Sequence, residues 1–281
     1  MTHNIFRNLR DSYEASAPKP EYMRSLKYIE FRELEAKVLE GDVAFAEDIF
    51  CNLYAGDVYL VKGALSKDLT KNLRKKSLEL FRTQPSQFFK MVDGTPNFHR
   101  YIDPELAKNY SVPAVKHAAY FFPWNGDPSG IFKDTYRCWK LLKYIGGFNF
   151  DEYEENIPSD LIVDRIQVCI YPPGQGSLGT HVDPFVNQRF FISGYLSKRG
   201  EDFNEGGVYV LDSNDNKVDL EPHIEVGDLS FGYSTIKHGV DLVDPGAVVD
   251  YDTHHPVGRW FLGLYSNDSD MRANRRTSVS K

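Results

Sequence analysis

Hydrophobic and polar positions follow two textures along this chain, and the change falls near residue 160. In the first part the patterns are mixed. Arg32 to Phe50, rich in Glu, Ala and Leu, predicts a helix, and Asp57-Val-Tyr-Leu-Val61 predicts a short strand. Ser66 then offers an N-cap oxygen for a helix over Lys67 to Arg82, with Leu69, Leu73 and Leu80 on its inward stripe. Ala119 to Phe150 holds ten aromatics, among them Tyr120, Phe121, Phe122, Trp124, Trp139 and Tyr144, and reads as helices packed on a core. The alternative for that region is a substrate lid.

From Arg165 onward short β-rich runs recur, separated by Gly, Pro, Asn and Asp. The runs are Arg165 to Tyr171, Gly179 to Asp183, Arg189 to Ser197, Gly207 to Leu211, Ile224 to Tyr233, His238 to Val243 and Gly258 to Tyr265. Pro172-Pro-Gly174, Glu205-Gly-Gly207, Val226-Gly-Asp228 and Asp244-Pro-Gly246 supply the corners. The predicted class is α+β, a double-stranded β-helix (jelly-roll) core with N-terminal helices packed on one side. No linker separates the parts, so residues 1–281 are expected to form a single domain. It comprises a helical and short-strand part (1–160), a jelly-roll core (161–267) and a polar, basic, mobile tail (268–281).

Composition narrows the function. Thirty-three Lys and Arg against 40 Asp and Glu give a net charge of −7, a sign that repels phosphate backbones, so no nucleic-acid partner is expected. Cys51, Cys138 and Cys169 form no C-x-x-C pair, and a reducing, cytoplasmic setting is predicted. The first fifteen residues lack a signal-peptide core and no 18 apolar residues run together, so neither export nor a membrane partner is expected. Oligomeric state is not legible.

The sharpest local feature is Thr180-His-Val-Asp183. Residues two apart on a strand leave the same face, so His181 and Asp183 would supply an imidazole and a carboxylate side by side, two thirds of a facial metal triad. A third ligand has four downstream candidates: His223, His238, His254 and His255. His223 sits in a polar turn and His254 and His255 in an irregular loop, whereas His238 opens a β-rich run; taken alone it reads as a core histidine at a turn. In the alternating strand Gly258 to Tyr265, Arg259 points inward if Phe261 and Gly263 do. No acid in that strand pairs with it, so a dicarboxylate ligand is one solution for the charge, and a rim salt bridge to Asp241 or Asp244 is the other.

This order of residues resembles the Fe(II)- and 2-oxoglutarate-dependent dioxygenases, over about Arg165 to Asn267. Cys169-Ile-Tyr-Pro-Pro-Gly-Gln-Gly176, Arg189 leading to Tyr195-Leu-Ser197, Glu205-Gly-Gly207 and Val226-Gly-Asp228 are similar to the prolyl-hydroxylase-like branch. The phytanoyl-CoA-dioxygenase-like branch is also similar, through the strand and helix at Asp57 to Arg82. The resemblance implies His181, Asp183 and His238 as catalytic iron ligands, and Arg259 on the distal carboxylate of 2-oxoglutarate. It also implies a Tyr195 hydroxyl on that carboxylate and Tyr171 lining the cosubstrate pocket, although both also read as packed sheet tyrosines. Arg189 matches an arginine of the branch and is assigned to structure. Arg259 follows His238 by 21 positions, more than the family's short gap, so Asp244 to Pro256 would be an inserted loop that sets His254 and His255 near the site mouth.

Implied cofactors are Fe(II), 2-oxoglutarate as cosubstrate and O2, with ascorbate as a supporting reductant. The implied reaction is hydroxylation of an unactivated C–H bond, since an aspartate rather than a small residue stands at 183. The expected substrate is a small molecule, an amino acid or a metabolite derived from one. The alternatives are a protein or peptide hydroxylase of the prolyl-hydroxylase type and a jelly-roll protein that binds metal without catalysis.

Overall fold

Residues 4–277 are described by a computed structural model of the chain. In chain order the elements are α1 (Ile5–Ser16), β1 (Leu26–Glu30), α2 (Phe31–Glu40), α3 (Val43–Tyr54), β2 (Val58–Lys62), α4 (Lys67–Thr83), β3 (Phe98–Ile102), α5 (Pro104–Ala107) and β4 (Ala114–Phe121). They continue as α6 (Ile131–Ile145), β5 (Ile162–Tyr171), β6 (Ser177–His181), β7 (Phe190–Tyr195), β8 (Gly207–Leu211), β9 (Lys217–Asp219), β10 (Leu229–Tyr233), β11 (His238–Asp241) and β12 (Arg259–Asp268). The strands run β1-β2-β10-β7-β12-β5-β4 in one sheet, with β3 also on β4, and β4-β6-β11-β8-β9 in the other. All pairs are antiparallel except β1 with β2.

This is the expected jelly roll with helices against its larger sheet: α4 packs on β3, β4 and β5, and α3 on β10. Buried rings and aliphatic side chains such as Trp139, Phe231, Trp260 and Leu262 fill that interface. Burial of such apolar area is the main driving force for joining the two layers. No helix among the described residues is long and apolar enough to cross a membrane.

Local chemistry explains the boundaries, including those that differ from expectation. Ser66 caps α4 by accepting from the Leu69 N–H at 3.1 Å, as predicted. The helix expected over Arg32 to Phe50 is two helices, because Gly41 turns left-handed at φ 68° and Asp42 starts α3 by accepting from the Phe45 N–H. Ala119 to Phe121 are strand, not helix: β4 lies between β5 and β6, and burial on both faces erases the alternation that marks a strand. The run from Ile224 is a strand only from Leu229, since the Asp228 carboxylate holds the Gly63 and Glu225 N–H groups in a turn.

Within the stretch expected to be a mobile tail, hydrogen bonds to Asp268 reach as far as Thr277. Asp268 is buried and its carboxylate accepts from Asn187 and Arg276, while its N–H donates to the Thr277 hydroxyl. Residues 278–281 lie outside the described residues.

The loop between β11 and β12 is anchored by Tyr251. Its hydroxyl lies 2.7 Å from His117 Nδ1, His117 Nε2 lies 2.7 Å from His99 Nδ1, and His99 Nε2 donates to the Gln84 carbonyl at 2.9 Å. A carbonyl only accepts, so neutral rings order the chain in one direction, with Tyr251 donating to His117 and His117 to His99. Burial pushes His117 from near 6.5 down to about 3, and lowers His99 as well. The unfolded chain therefore binds protons between those limits that the folded chain refuses, so stability is full above pH 6.5 and is lost as pH falls toward 3. Thermal melts across that range should show the decline, and His117→Gln should flatten it; an equal slope in both proteins would remove His117 as its source.

Candidate active site

Register, more than proximity in sequence, assembles the site. On β6 and β11, His181 and His238 are direct cross-strand partners, and their ring centroids lie 4.4 Å apart. Asp183 follows β6 and is fixed by its N–H donating to the Ser234 carbonyl at 2.9 Å. Its carboxylate oxygens lie 3.6 Å from His181 Nε2 and 3.9 Å from His238 Nε2. One ligand atom from each of the three falls within 4.8 Å of the others, a group that could hold a metal ion.

The tautomers suit a metal. His181 Nδ1 lies 3.0 Å from the Gly179 carbonyl and His238 Nδ1 2.9 Å from that of Ile236. Each Nδ1 must carry the proton, which leaves both Nε2 lone pairs facing the carboxylate. Burial, and then neighbouring His181, push His238 down to about 4, so it is neutral at pH 7. Burial opposes the Asp183 charge, but His181, His238 and Lys116 outweigh it and hold the carboxyl below its ordinary range. Two imidazoles and one carboxylate, with the rest of the sphere open to a cavity, form a donor set that fits a divalent first-row metal.

That cavity is narrow and runs from the triad to Arg259, past Tyr171, Ser193, Phe261 and Tyr265. Arg259 faces Tyr171 across β5 and β12, and its guanidinium lies 5.8 Å from that ring. Tyr195 does not line the cavity; its ring lies 5.9 Å from the guanidinium, and its hydroxyl is 2.6 Å from the Ser230 hydroxyl. The structure thus gathers His181, Asp183, His238, Tyr171 and Arg259 on one cavity and leaves Tyr195 behind it.

Arg259 has an acidic partner, and it is neither of the two rim acids expected. Its Nε donates to Glu221 Oε1 at 2.5 Å, with both side chains buried. Asp241 and Asp244, the rim acids, are engaged elsewhere, by Lys217 and by the N–H groups of Asn204 and Glu205. Glu221 sits in a 3-10 turn and also accepts from the Val208 N–H. Room for it comes from Gly207, at φ 113°, where a Cβ would overlap the Glu221 side chain. Gly207→Ala should therefore destabilise the fold by about 1–3 kcal/mol, read from denaturant midpoints, with an unchanged midpoint counting against this packing. Even so, Arg259 Nη1 is buried with no hydrogen-bond partner among the described residues, and it retains capacity for an anion.

A second cavity of about 270 Å³ opens from the triad and shares Lys116, Leu178, His181, Asp183 and Tyr265 with the first. Arg165 and Arg275 line it, and sequence reasoning missed both as site residues. For Arg165 a signal existed: two-residue alternation along β5 puts it on the face of Tyr171. No comparable signal marks Glu221 or Arg275. His254 and His255, expected near the mouth, line neither cavity and are exposed, with the His254 carbonyl accepting from Arg82. His223 is not a ligand either; its Nδ1 lies 3.0 Å from the Tyr28 hydroxyl. A wider hollow of about 600 Å³ between α2 and α6 contains none of these residues, and its Arg137 and Lys140 are paired with Glu35 and Glu154.

A sandwich of this topology has the fold of the iron- and 2-oxoglutarate-dependent oxygenases. A full-length Neurospora crassa protein in complex with alpha-KG and thymine superposes with a TM-score of 0.50 at 17% identity, covering 86% of this chain and 86% of that one. A Pseudomonas putida prolyl-4-hydroxylase gives 0.48 at 16% identity, covering 87% of this chain and 100% of that one. A Trichoplax adhaerens prolyl hydroxylase in complex with a hypoxia inducible factor peptide gives 0.47 at 14%, covering 84% and 94%. No family model matches the chain and no curated protein matches it.

Proposed function

We propose that this chain is an Fe(II)- and 2-oxoglutarate-dependent oxygenase that hydroxylates a C–H bond of a small molecule. One observation carries the reading: two Nε2 lone pairs and a carboxylate converge at one end of a cavity whose other end is a buried guanidinium with an unused N–H. His181, Asp183 and His238 would hold iron, and Arg259 Nη1 would take the distal carboxylate of 2-oxoglutarate. When bound, iron and 2-oxoglutarate supply the oxidising chemistry with O2, the cosubstrate leaving as succinate and CO2.

The chain's own contribution is positioning. Glu221 locks the Arg259 guanidinium so that only one edge is free, Tyr171 walls the cosubstrate side, and Phe261 and Tyr265 keep that channel narrow. The adjoining cavity of about 270 Å³ falls at the small end of ligand pockets, which favours a metabolite of amino-acid size over a peptide. Ascorbate would serve as a supporting reductant.

The test is succinate formation from 2-oxoglutarate by the iron-loaded protein with a metabolite pool. Turnover should require iron and 2-oxoglutarate. Bound iron with no succinate from any pool would leave a binding protein.

A further inference from the structure

We infer that the 270 Å³ cavity beside the triad selects a substrate bearing a carboxylate or phosphate on an apolar or aromatic body, with Arg165 as the group that grips the anion. This rests on the oxygenase reading for the reaction, though not for the binding.

The chain carries a net charge of −7, yet this cavity has the opposite sign. Four cations line it, Arg100, Lys116, Arg165 and Arg275, against two carboxylates, and both carboxylates are committed. Asp183 belongs to the triad, and Asp270 accepts from Arg275 Nη1 and the Met91 N–H, each at 2.6 Å. Arg165 has no acidic partner among the described residues. Its Nη2 donates to the neutral Gln167 Oε1 at 3.0 Å, and its Nε is shut off from solvent with no hydrogen-bond partner among the described residues.

A guanidinium left in that state costs free energy unless something supplies an acceptor. Its placement is not casual. Arg165 is the cross-strand partner of Tyr265, and its Cζ lies 5.2 Å from the ring centroids of both Tyr120 and Tyr265, so two aromatic faces hold the plane of the fork. Arg100 is spread over Phe88 and Tyr110 nearby, likewise with no acidic partner among the described residues. Phe89, Phe98 and Phe122 complete apolar walls suited to a carbon skeleton. Because Tyr265 lines both cavities, an anion anchored at Arg165 leaves the rest of the molecule extending toward His181 and Asp183.

Calorimetric titration of the protein, loaded anaerobically with Fe(II) and 2-oxoglutarate, tests this with 3-phenylpropanoate, 3-phenylpropanamide and phenyl phosphate as probes. At least one anion should bind about tenfold or more tighter than the amide, the size of a charge-assisted contact. The tighter of the two identifies the group. Arg165→Gln should lose that preference and Arg165→Lys should keep part of it. No preference for either anion in the wild-type chain, a comparison that needs no variant, overturns the proposal, as does an undiminished preference in Arg165→Gln.

The charge-transfer absorption of chelated 2-oxoglutarate in the same samples separates this from the oxygenase reading. Its absence from the wild-type chain while the anion preference persists sinks the oxygenase reading and spares this one. Its loss in Arg165→Gln alone would give Arg165 to the cosubstrate and overturn the substrate assignment.

Discussion

Asp183→Ala is expected to abolish turnover and metal-dependent stabilisation together while leaving the fold in place. The carboxylate is the anionic member of the triad and sits within 4 Å of both Nε2 atoms, so its removal leaves two neutral donors that cannot complete a facial site. Its loss should not unfold the chain, because the hydrogen bond holding residue 183 comes from the backbone N–H to the Ser234 carbonyl and survives the substitution. A ligand that binds only the native state at a hundred times its Kd stabilises by about 2.7 kcal/mol, which a thermal melt resolves easily. Mn(II), redox-quiet in air, should therefore raise the melting temperature of the wild-type chain and leave that of Asp183→Ala unmoved. His181→Ala should behave likewise. Equal Mn(II) shifts in all three proteins, or succinate formation by either variant, would dismantle the ligand set.

Replacing Glu221 should produce the largest loss of stability of any single substitution discussed. Glu221→Ala strands the Arg259 guanidinium in a site from which solvent is excluded and deprives the Val208 N–H of its acceptor. Breaking a buried pair from one side costs about 3–5 kcal/mol, because the remaining charge keeps its desolvation penalty without its partner. Glu221→Gln, which restores an acceptor without the charge, should recover part of that loss. The same variants test the cosubstrate site. If Arg259 Nη1 takes the distal carboxylate, 2-oxoglutarate should stabilise Glu221→Gln more than the wild type, since it then supplies the missing anion. Urea denaturation with and without 2-oxoglutarate reads both effects. A small loss on Glu221→Ala would show the pair to be dispensable, and equal stabilisation of both proteins would place the dicarboxylate away from Arg259.

Much of the site was legible because strand geometry is short-ranged. Two-residue alternation put His181 and Asp183 on one face and Arg259 on the face of Phe261, and the turn residues between β-rich runs marked the corners of the sandwich. The helix break at Gly41 was legible in principle, since a Gly-Asp pair is a stop followed by a cap, but the continuous Glu, Ala and Leu content around it masked the signal. Strand β4 was not legible: with neighbours on both edges and burial on both faces its sequence reads as an aromatic, Ala-rich stretch suited equally to a helix. The contacts of the tail were illegible for another reason. Its basic composition is that of a solvated segment, yet Asp268, buried at the end of β12, offers Arg276 a partner that no local pattern announces.

By itself the sequence determined the class of fold, the spacing of the two triad residues that share a strand end, and the inward setting of Arg259. Each of these depends on residues within one element, where backbone geometry alone relates side chain to side chain. Only the tertiary structure decided that His238 rather than another histidine faces His181, that Glu221 meets Arg259, and that Arg165 lies against the triad's cavity beside Arg275 from the tail. Those meetings are set by strand register and by loops that close across the sandwich, and their partners lie tens of residues apart along the chain. No local propensity encodes them; they follow from which packing buries the most apolar surface while pairing every strand.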